Sequence, residues 1–298
     1  MNKHLLLPIL AVLFWAGNTI VNKLAVGVIF PAEIGFYRWL FAAIVLTPFM
    51  CKPCITAWPI IKAHLGKIFI LGLFGMAIFQ SLAYFAAVKT SANNMGIVLS
   101  LMPMMSLCLA IMALGQRLTW GALLGAAFSF VGVLYVVSAG NISQLSSQGM
   151  NVGDSMMLVA VFAYACYSTL LKKWQIPLAA MPLLYLQVVV AVVVLFPLFY
   201  VSPKAGLTAE NLPLIAYACV FASIAAPLAW MTGIKHLGPS RTSIFFNAMP
   251  VITAVIAAIV LGESLAMYHI VGGGLTLFGV LLSEQVKQPV TWPVLYKA

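Results

Sequence analysis

Aromatic and amide side chains recur at helical spacing within strongly apolar stretches of this chain. Trp15, Asn18 and Asn22 lie at positions i, i+3 and i+7, and Gln80 and Tyr84 lie four positions apart. Residues with these spacings share one face of a helix. Rings contact the apolar part of a small molecule, while amides and hydroxyls form hydrogen bonds with its polar groups. The spacing therefore predicts a binding site for a small zwitterionic or amphipathic molecule.

Other apolar stretches carry side chains of the same types. The full set of predicted substrate-binding residues is Trp15, Asn18, Asn22, Arg38, Gln80, Tyr84, Tyr164, Tyr167, Ser168, Trp230 and Asn247. Polar groups within lipid cost free energy and generally face protein or a water-filled cavity, so the set as a whole is expected to form a cavity wall. For each single residue the alternative is packing or a hydrogen bond between helices, which averages only ~0.6 kcal/mol.

Arg38 is the one strongly charged residue expected at depth within an apolar stretch. A guanidinium at the centre of a membrane span costs ~2.5–3.5 kcal/mol, and less where the side chain reaches outward to water. Two roles stay open. Arg38 binds a substrate carboxylate or acts in gating, or it serves the topology or a structural pairing. Glu33, five positions earlier, is poorly placed on the helix for that pairing.

Three prolines, Pro103, Pro227 and Pro250, fall well inside apolar stretches. Each removes one backbone hydrogen bond and pushes the helix off its axis. Such positions are either static kinks or hinges. Because Pro103 and Pro250 occupy equivalent positions of an internal repeat, these prolines are predicted as hinges.

The composition places these residues in a membrane protein. Of 298 residues, 64% are hydrophobic and only 7% are charged, whereas a soluble domain carries about 25% charged residues. Apolar runs of roughly 20 residues, the length that a bilayer requires, recur along the chain. They predict an all-α integral membrane protein with ten transmembrane helices, at residues 5–22, 34–50, 68–88, 93–113, 119–138, 154–171, 180–201, 212–234, 242–261 and 268–286.

The basic residues fall mainly on one side of the predicted bilayer. The net charge is +10. With a cytoplasmic amino terminus, eleven Lys and Arg residues fall inside and three, Lys23, Lys89 and Lys204, fall outside. This bias predicts that both termini are cytoplasmic. Because the basic residues lie between spans rather than in one patch, the expected partner is the lipid bilayer and no nucleic acid is expected.

The chain repeats itself. Residues 82–89 read LAYFAAVK, and residues 228–235 read LAWMTGIK. Met102-Pro103 recurs 147 positions later as Met249-Pro250. Ordered matches of this kind indicate a duplication, with a first repeat at 1–140, a polar joint at 141–153, a second repeat at 154–286 and a cytoplasmic tail at 287–298. Since five helices per repeat is an odd number, the two five-helix repeats are predicted to have inverted topology, as in carriers that work by alternating access.

Short motifs follow this repeat. They are FWAGNTIVNK at 14–23, FYRWLFAA at 36–43, LGQRL at 114–118, LGESL at 261–265 and a Gly-x6-Gly-Val-Leu pattern near the end of each repeat. Their order and duplication resemble the EamA-type family of the drug/metabolite transporter superfamily, over nearly the whole chain. The resemblance implies a ten-helix carrier of the bacterial inner membrane, often an exporter of amino acids or other small metabolites. Gln116 stands where the second repeat has Glu263, so a role that needs both carboxylates is in doubt.

The predicted function is therefore transport of a small metabolite, with amino acid export favoured, through a central cavity between the repeats. Phosphorylated substrates need several Lys or Arg in the cavity, and Arg38 is the single candidate. A lipophilic cation or drug also fits the aromatic stripes, so multidrug export stays open.

A membrane-embedded enzyme is the rival class. It would need a nucleophile with a base, or metal ligands, at depth. The four histidines fall at span ends or in loops without ligand spacing. No catalytic residue, metal or other cofactor is therefore expected. The expected partner is a small-molecule substrate, and the carrier is predicted to be a monomer or a homodimer.

Overall fold

The computed structural model describes residues 3–25, 27–90, 95, 98–138, 140–141, 151–262 and 265–290. Within these residues the chain is helical apart from short connections, and an isolated antiparallel bridge joins Thr119 to Pro289. Six helices of the described part are long and apolar enough to cross a membrane, and further apolar helices are shorter. The chain is therefore a multi-pass helical membrane protein.

The helices of the first half are labelled α1 to α5. α1 is Leu6–Ala25 and α2 is Pro31–Thr56. α3 has three consecutive parts, Trp58–Gly72, the π-helical Leu73–Ile78 and Phe79–Lys89. α4 is Met102–Leu114 and α5 is Trp120–Val137.

The helices of the second half are labelled α6 to α10. α6 is Val152–Trp174 and α7 is Ala180–Val201. α8 consists of Leu212–Tyr217, the π-helical Ala218–Ala225 and Ala226–Leu237. α9 consists of Pro239–Ser243, the 3-10 helix Ile244–Ala248 and Met249–Leu261. α10 is Met267–Gln285. Most of the predicted joint and of the predicted tail, 142–150 and 291–298, lies outside the described residues.

Helices α2 and α3 are longer than the apolar runs that predicted them. α2 continues through Lys52 and Pro53 to Thr56, and α3 begins at Trp58, ten positions before the predicted start at 68. An apolar run measures the thickness of the hydrocarbon layer. A helix satisfies its own backbone hydrogen bonds and can continue beyond that layer with polar side chains in water. The predicted bounds were therefore too short.

Helices α5 and α10 lie against each other along a row of glycines. A Cβ atom added to Gly125 would lie 2.5 Å from the carbonyl oxygen of Gly279, and one added to Gly132 would lie 2.5 Å from that of Gly272. The partner number falls as the residue number rises, so the two helices run antiparallel. Glycine allows this close approach of backbones. The contact joins one helix from each half of the chain.

A second pair of helices, α2 and α7, also runs antiparallel. The ring of Phe36 stacks on that of Phe199 with centroids 4.3 Å apart. Farther along α2, the hydroxyls of Thr47 and Tyr185 lie 3.1 Å apart. Around these pairs, α1 packs against α8 and α9, and α6 packs against α3 and α4.

The two ends of α6 contact two lysines of the repeated phrase. Gly153 in its first turn packs against the backbone of Lys89. In its last turn, Lys172 Nζ donates to the carbonyl oxygen of Lys235 at 2.5 Å. From Gly153 to Lys172 the helix rises roughly 28 Å at 1.5 Å per residue, which is close to the thickness of a bilayer core. Lys89 and Lys235 therefore lie at opposite ends of one membrane-spanning helix.

Candidate functional site

Four aromatic rings meet where α1, α6, α8 and α9 converge. Trp15, Tyr164, Trp230 and Phe246 form an aromatic cluster in which every pair of ring centroids lies 4.6–6.1 Å apart. Aromatic pairs at such distances contribute about 0.5–1.5 kcal/mol each beyond the burial of their area. None of these rings is more than 8% exposed. The structure thus brings the predicted residues Trp15, Tyr164 and Trp230 together in a buried cluster of packed rings.

Both indole N–H groups of the aromatic cluster are hydrogen-bonded. Trp15 Nε1 donates to the carbonyl oxygen of Ala222 at 3.2 Å, and Trp230 Nε1 donates to Ser168 Oγ at 3.4 Å. Ala222 belongs to the π-helical part of α8, and π-helical turns frequently occur at functional sites. The cluster is therefore tied both to α8 and to α6.

A buried positive charge contacts the next residue of that π-helical part. Arg38 is 0% exposed, and its Nε donates to Ser223 Oγ at 2.6 Å. Its Nη1 donates to Gln80 Oε1 at 3.4 Å and to Tyr84 OH at 3.3 Å. Among the described residues Nη2 has no hydrogen-bond partner, and no carboxylate pairs with the guanidinium. These four residues, Arg38, Gln80, Tyr84 and Ser223, are called the cationic cluster.

Glu33, the carboxylate nearest to Arg38 in the sequence, is bonded elsewhere. Its Oε2 accepts from the backbone N–H of Ala205 at 2.7 Å, and its Oε1 accepts from that of Gly206 at 2.9 Å. Hydrogen bonds to a charged carboxylate are strong, so the loop after α7 satisfies this buried group. Of the alternatives that the sequence left open for Arg38, pairing with Glu33 is therefore not what the structure contains.

The remaining predicted residues lie on the same helices as the aromatic cluster. Asn18 Nδ2 donates to Asn22 Oδ1 at 3.4 Å, along the same helix as Trp15. The ring of Tyr167 packs against that of Tyr164, with centroids 5.2 Å apart. Asn247 is buried, and neither polar atom of its side chain has a partner among the described residues.

Each predicted hinge proline stands in the first turn of a helical segment. Pro103 begins α4, while Pro227 and Pro250 begin the last parts of α8 and α9. A proline lacks the N–H that would donate to the preceding helical turn, so in α8 and α9, where helix continues before it, each proline removes one backbone hydrogen bond. In α8 and α9 the preceding part is π-helical or 3-10, so these prolines mark a change of helix type. Their hinge role stays a prediction.

A cavity of about 130 Å³ lies between α4, α5, α9 and α10. Gln116 and Ser240 contribute to its lining and join α9 to the loop after α4, with Gln116 Nε2 donating to Ser240 Oγ at 2.6 Å. Pro103 also lines it, whereas the predicted substrate-binding residues do not. The cavity is therefore separate from the aromatic and cationic clusters.

Sequence reasoning missed three residues of this region. Ser223 is the shortest contact of Arg38, and Phe246 completes the aromatic cluster. Each is a common residue in an apolar helix, and Ser223 lies 185 positions from its partner, so neither gives a local signal. Gln187 on α7 is 0% exposed, and neither of its amide atoms is bonded among the described residues. A signal for Gln187 exists, because it stands 149 positions after Arg38 in the predicted repeat.

The fold and these buried groups define a class of protein. A bundle of apolar helices of membrane-spanning length, with aromatic, amide and charged side chains gathered inside it, is the arrangement of a membrane transporter. The EamA-like transporter family matches the chain twice, at residues 2–138 and at residues 151–284. The chain belongs to this family, which confirms the resemblance read from the motifs.

Relatives carry names of the same class. The chain is 29% identical over 296 residues to the "Uncharacterized transporter YyaM" of Bacillus subtilis, with 95% of each protein aligned. It is 24% identical over 225 residues to a "Probable terminal-alkyne amino-acid exporter" of Streptantibioticus cattleyicolor, with 73% of the chain and 72% of that protein aligned. A protein of known crystal structure is 13% identical to the chain, and the alignment covers 95% of the chain and 96% of that protein. The TM-score of 0.78 indicates that the two have the same fold.

Proposed function

We propose that this transporter exports an amino acid, or a closely related small zwitterion, by alternating access through a cavity between its two halves. The proposed cavity forms at the position of the aromatic and cationic clusters, and the present structure corresponds to the arrangement in which it is closed. The transporter acts in the bacterial inner membrane with both termini in the cytoplasm.

The observation that carries this proposal is the cationic cluster. Arg38 is fully buried, and among the described residues only neutral side chains bond to it and its Nη2 has no partner. A buried charge without a counter-ion is costly, and such groups in membrane proteins commonly serve substrate pathways. A guanidinium presents several N–H donors in a planar fork that matches a carboxylate. The carboxylate of a substrate would supply the missing partner.

The aromatic cluster supports the rest of the molecule. Its rings lie next to the cationic cluster because Trp15 bonds to Ala222, the residue before Ser223. A small molecule held at Arg38 would therefore place its apolar part against rings. The name of the relative from Streptantibioticus cattleyicolor, an amino-acid exporter, points to the same substrate class.

Export of a lipophilic cation is the second candidate, since aromatic rings also attract cations. Such a substrate favours a nearby carboxylate. Within the described residues Glu33 is bonded to two backbone N–H groups, and Asp154 caps the start of α6. The positive charge of Arg38 contacts Ser223, next to the residue that Trp15 contacts, and it repels a cation. The cationic cluster therefore favours a substrate with a carboxylate.

Alternating access is supported by how the two halves pack. Two pairs that join corresponding helices, α2 with α7 and α5 with α10, run antiparallel, as an inverted repeat requires. Exchanging the halves converts the contacts of α1 with α8 and α9 into those of α6 with α3 and α4, which also occur. The family matches each half separately. Together these features favour two units of opposite orientation, related by a pseudo-twofold axis, around a common site.

Counterflow in proteoliposomes tests the substrate class. The purified protein is reconstituted, the vesicles are loaded in turn with single unlabelled amino acids, and uptake of the same labelled amino acid is measured. We expect accumulation of at least one label. Its methyl ester, which lacks the carboxylate, should not compete. Exchange of labelled tetraphenylphosphonium without exchange of any amino acid would overturn the proposal in favour of cation export.

Topology provides a separate prediction. Reporter tags inserted next to Lys89 and next to Lys235 are expected to emerge on opposite faces of the membrane, because these residues contact opposite ends of α6. The tag at Lys235 should be cytoplasmic and the tag at Lys89 external. A tag after Lys173, at the same end of α6 as Lys235, is the matched control. Emergence of the first two tags on one face would rule out the inverted repeat.

A further inference from the structure

A second polar group is buried on α6 and α7, apart from the cationic cluster. Gln187 is 0% exposed, and neither its Oε1 nor its Nε2 has a hydrogen-bond partner among the described residues. The hydroxyl of Tyr167, also 0% exposed, has none there either. An amide can donate two hydrogen bonds and accept two, and burying it unbonded costs free energy. Gln187 and Tyr167 are called the neutral pair.

Both members of the neutral pair belong to helices that press on the same stretch of α3. A Cβ atom on Gly75 would lie 2.7 Å from the ring of Tyr167. A Cβ atom on Gly72 would lie 3.0 Å from the backbone oxygen of Gln187. Gly72 and Gly75 are one helical turn apart, where α3 changes from α-helix to π-helix. The neutral pair is therefore brought to one level of the bundle by small residues of α3.

Gln187 corresponds to Arg38 in the predicted repeat. The two residues are 149 positions apart, and so are Pro48 and Pro197, the prolines inside α2 and α7. Arg38 contacts the π-helical part of α8 through Ser223. The backbone of Gln187 meets α3 where the corresponding π-helical part begins. The two residues thus occupy matching positions of the predicted repeat, and one is charged while the other is neutral.

The surroundings of the two positions differ in polarity. The polar partners of Arg38 correspond, at a separation of 146 positions, to Ala77, Ala226 and Trp230. Alanine has no polar side-chain atom, and the indole N–H of Trp230 is bonded to Ser168. The chain therefore holds an amide at a position whose corresponding neighbours supply no hydrogen bond.

The aromatic cluster connects the neutral pair to the cationic cluster. One of its indoles bonds to Ala222, which precedes the serine of the cationic cluster. The other bonds to Ser168, which follows the tyrosine of the neutral pair. The hydroxyls of Thr47 on α2 and Tyr185 on α7 are neighbours. Because the two helices run antiparallel, Gln187, two positions after Tyr185, lies level with residue 45 of α2. That level is seven positions, or roughly 10 Å, along α2 from Arg38. This displacement is toward the end of α2 that is predicted to be cytoplasmic.

We propose that the neutral pair is a second substrate subsite, which a small zwitterion meets when it enters from the cytoplasm. Gln187 Nε2 and the Tyr167 hydroxyl donate to the carboxylate, and Gln187 Oε1 accepts from the ammonium. Neutral donors hold a carboxylate less strongly than a guanidinium does, so this subsite binds more weakly than the cationic cluster. The inference rests on the proposed transport function and adds an entry position to it.

Cysteine accessibility tests the subsite without any knowledge of the substrate. The five native cysteines are replaced, and Gln187→Cys is compared with Val188→Cys, the next residue, which is also 0% exposed. Reconstituted protein is treated with a membrane-impermeant methanethiosulfonate. We expect the thiol at position 187 to react faster than the thiol at 188, because only 187 meets water when the site opens. Equal, slow reaction at both positions would overturn the subsite.

A second variant separates binding from folding. Gln187→Leu keeps a similar volume and removes the polar atoms. We expect counterflow of the transported amino acid to fall about tenfold or more, as loss of hydrogen bonds to a charged group predicts. The Tm should stay the same or rise, because an unbonded buried amide is removed. A structural role of the amide would instead lower the Tm and leave transport per folded molecule intact, which would overturn the inference.

Counterflow by the wild-type protein and cysteine accessibility together distinguish this inference from the proposed function. If the wild-type protein exchanges no amino acid but position 187 reacts faster than 188, the proposed substrate is wrong and the accessible subsite stands. If an amino acid is exchanged while position 187 is no more reactive than 188, the proposed function stands and the subsite is wrong.

Discussion

Replacing Arg38 with methionine is expected to abolish exchange of a zwitterionic substrate while the folded protein still reaches the membrane. Truncating one partner of a buried charge pair costs about 2–5 kcal/mol, which corresponds to at least about a thirtyfold loss of affinity. Counterflow in proteoliposomes measures the loss. Membrane yield and the Tm in detergent measure folding.

The expectation that folding survives follows from the contacts of Arg38. Its partners Ser223, Gln80 and Tyr84 are neutral, and no carboxylate among the described residues is left unpaired when the guanidinium is removed. Replacing a buried ionic group with an apolar one of similar volume is often neutral or stabilising. A structural arginine would behave differently, because its loss would lower the Tm together with transport.

Two control variants sharpen this prediction. Arg38→Lys keeps the charge but replaces the planar fork by a single ammonium, so we expect an intermediate loss of exchange. Lys204→Met removes an exposed positive charge on the loop after α7 and should leave exchange unchanged. Full exchange by Arg38→Met would remove the guanidinium from the substrate path and would leave the cationic cluster without a role in binding.

Much of the architecture could be predicted from the sequence because lipid imposes a simple rule. Within lipid, every long apolar run must satisfy its own backbone hydrogen bonds, so the runs mark helices. The rule does not mark where a helix ends in water. For that reason α2 and α3 continue toward each other through the basic segment around Lys52 and are separated only by Ala57.

The candidate site could be predicted in part, because polar groups are rare in apolar helices. Stripes at helical spacing indicated Trp15 and Tyr164, and the structure places their rings 6.1 Å apart. Spacing along one helix says nothing about which residue faces it from another. Ser223 therefore escaped notice although it is 2.6 Å from Arg38, and so did Phe246.

The change of helix type in α3 and α8 was also beyond sequence reasoning. Pro227 stands just after the π-helical part of α8, but the corresponding part of α3 is followed by Phe79, without a proline. A proline alone therefore does not account for both. In α3 the small residues Gly72 and Gly75 meet side chains or backbone from α6 and α7, a contact between distant parts of the chain.

Replacing a glycine of α10 with alanine is expected to destabilise the protein where the glycine packs against α5, and to be neutral or stabilising where nothing lies near it. At Gly279 an added Cβ would lie 2.5 Å from the carbonyl oxygen of Gly125. Backbone cannot move aside as a flexible side chain can, so α5 and α10 must separate, which also weakens the hydrogen bond from Ser129 Oγ to the Thr276 carbonyl oxygen at 3.0 Å. We expect Gly279→Ala to destabilise the protein by about 1–3 kcal/mol, as overpacking does.

Gly274 on the same helix provides the matched control, because a Cβ there would meet nothing within 4 Å. Alanine is a better helix former than glycine by about 1 kcal/mol, so Gly274→Ala should raise the Tm or leave it unchanged. Thermal unfolding in detergent, followed by loss of monodisperse protein, measures both variants under one condition. Equal effects of the two substitutions would mean that the glycine row does not hold α5 against α10. A fall in Tm that is specific to Gly279→Ala would show that the close approach of the α5 and α10 backbones contributes to the stability of the folded protein.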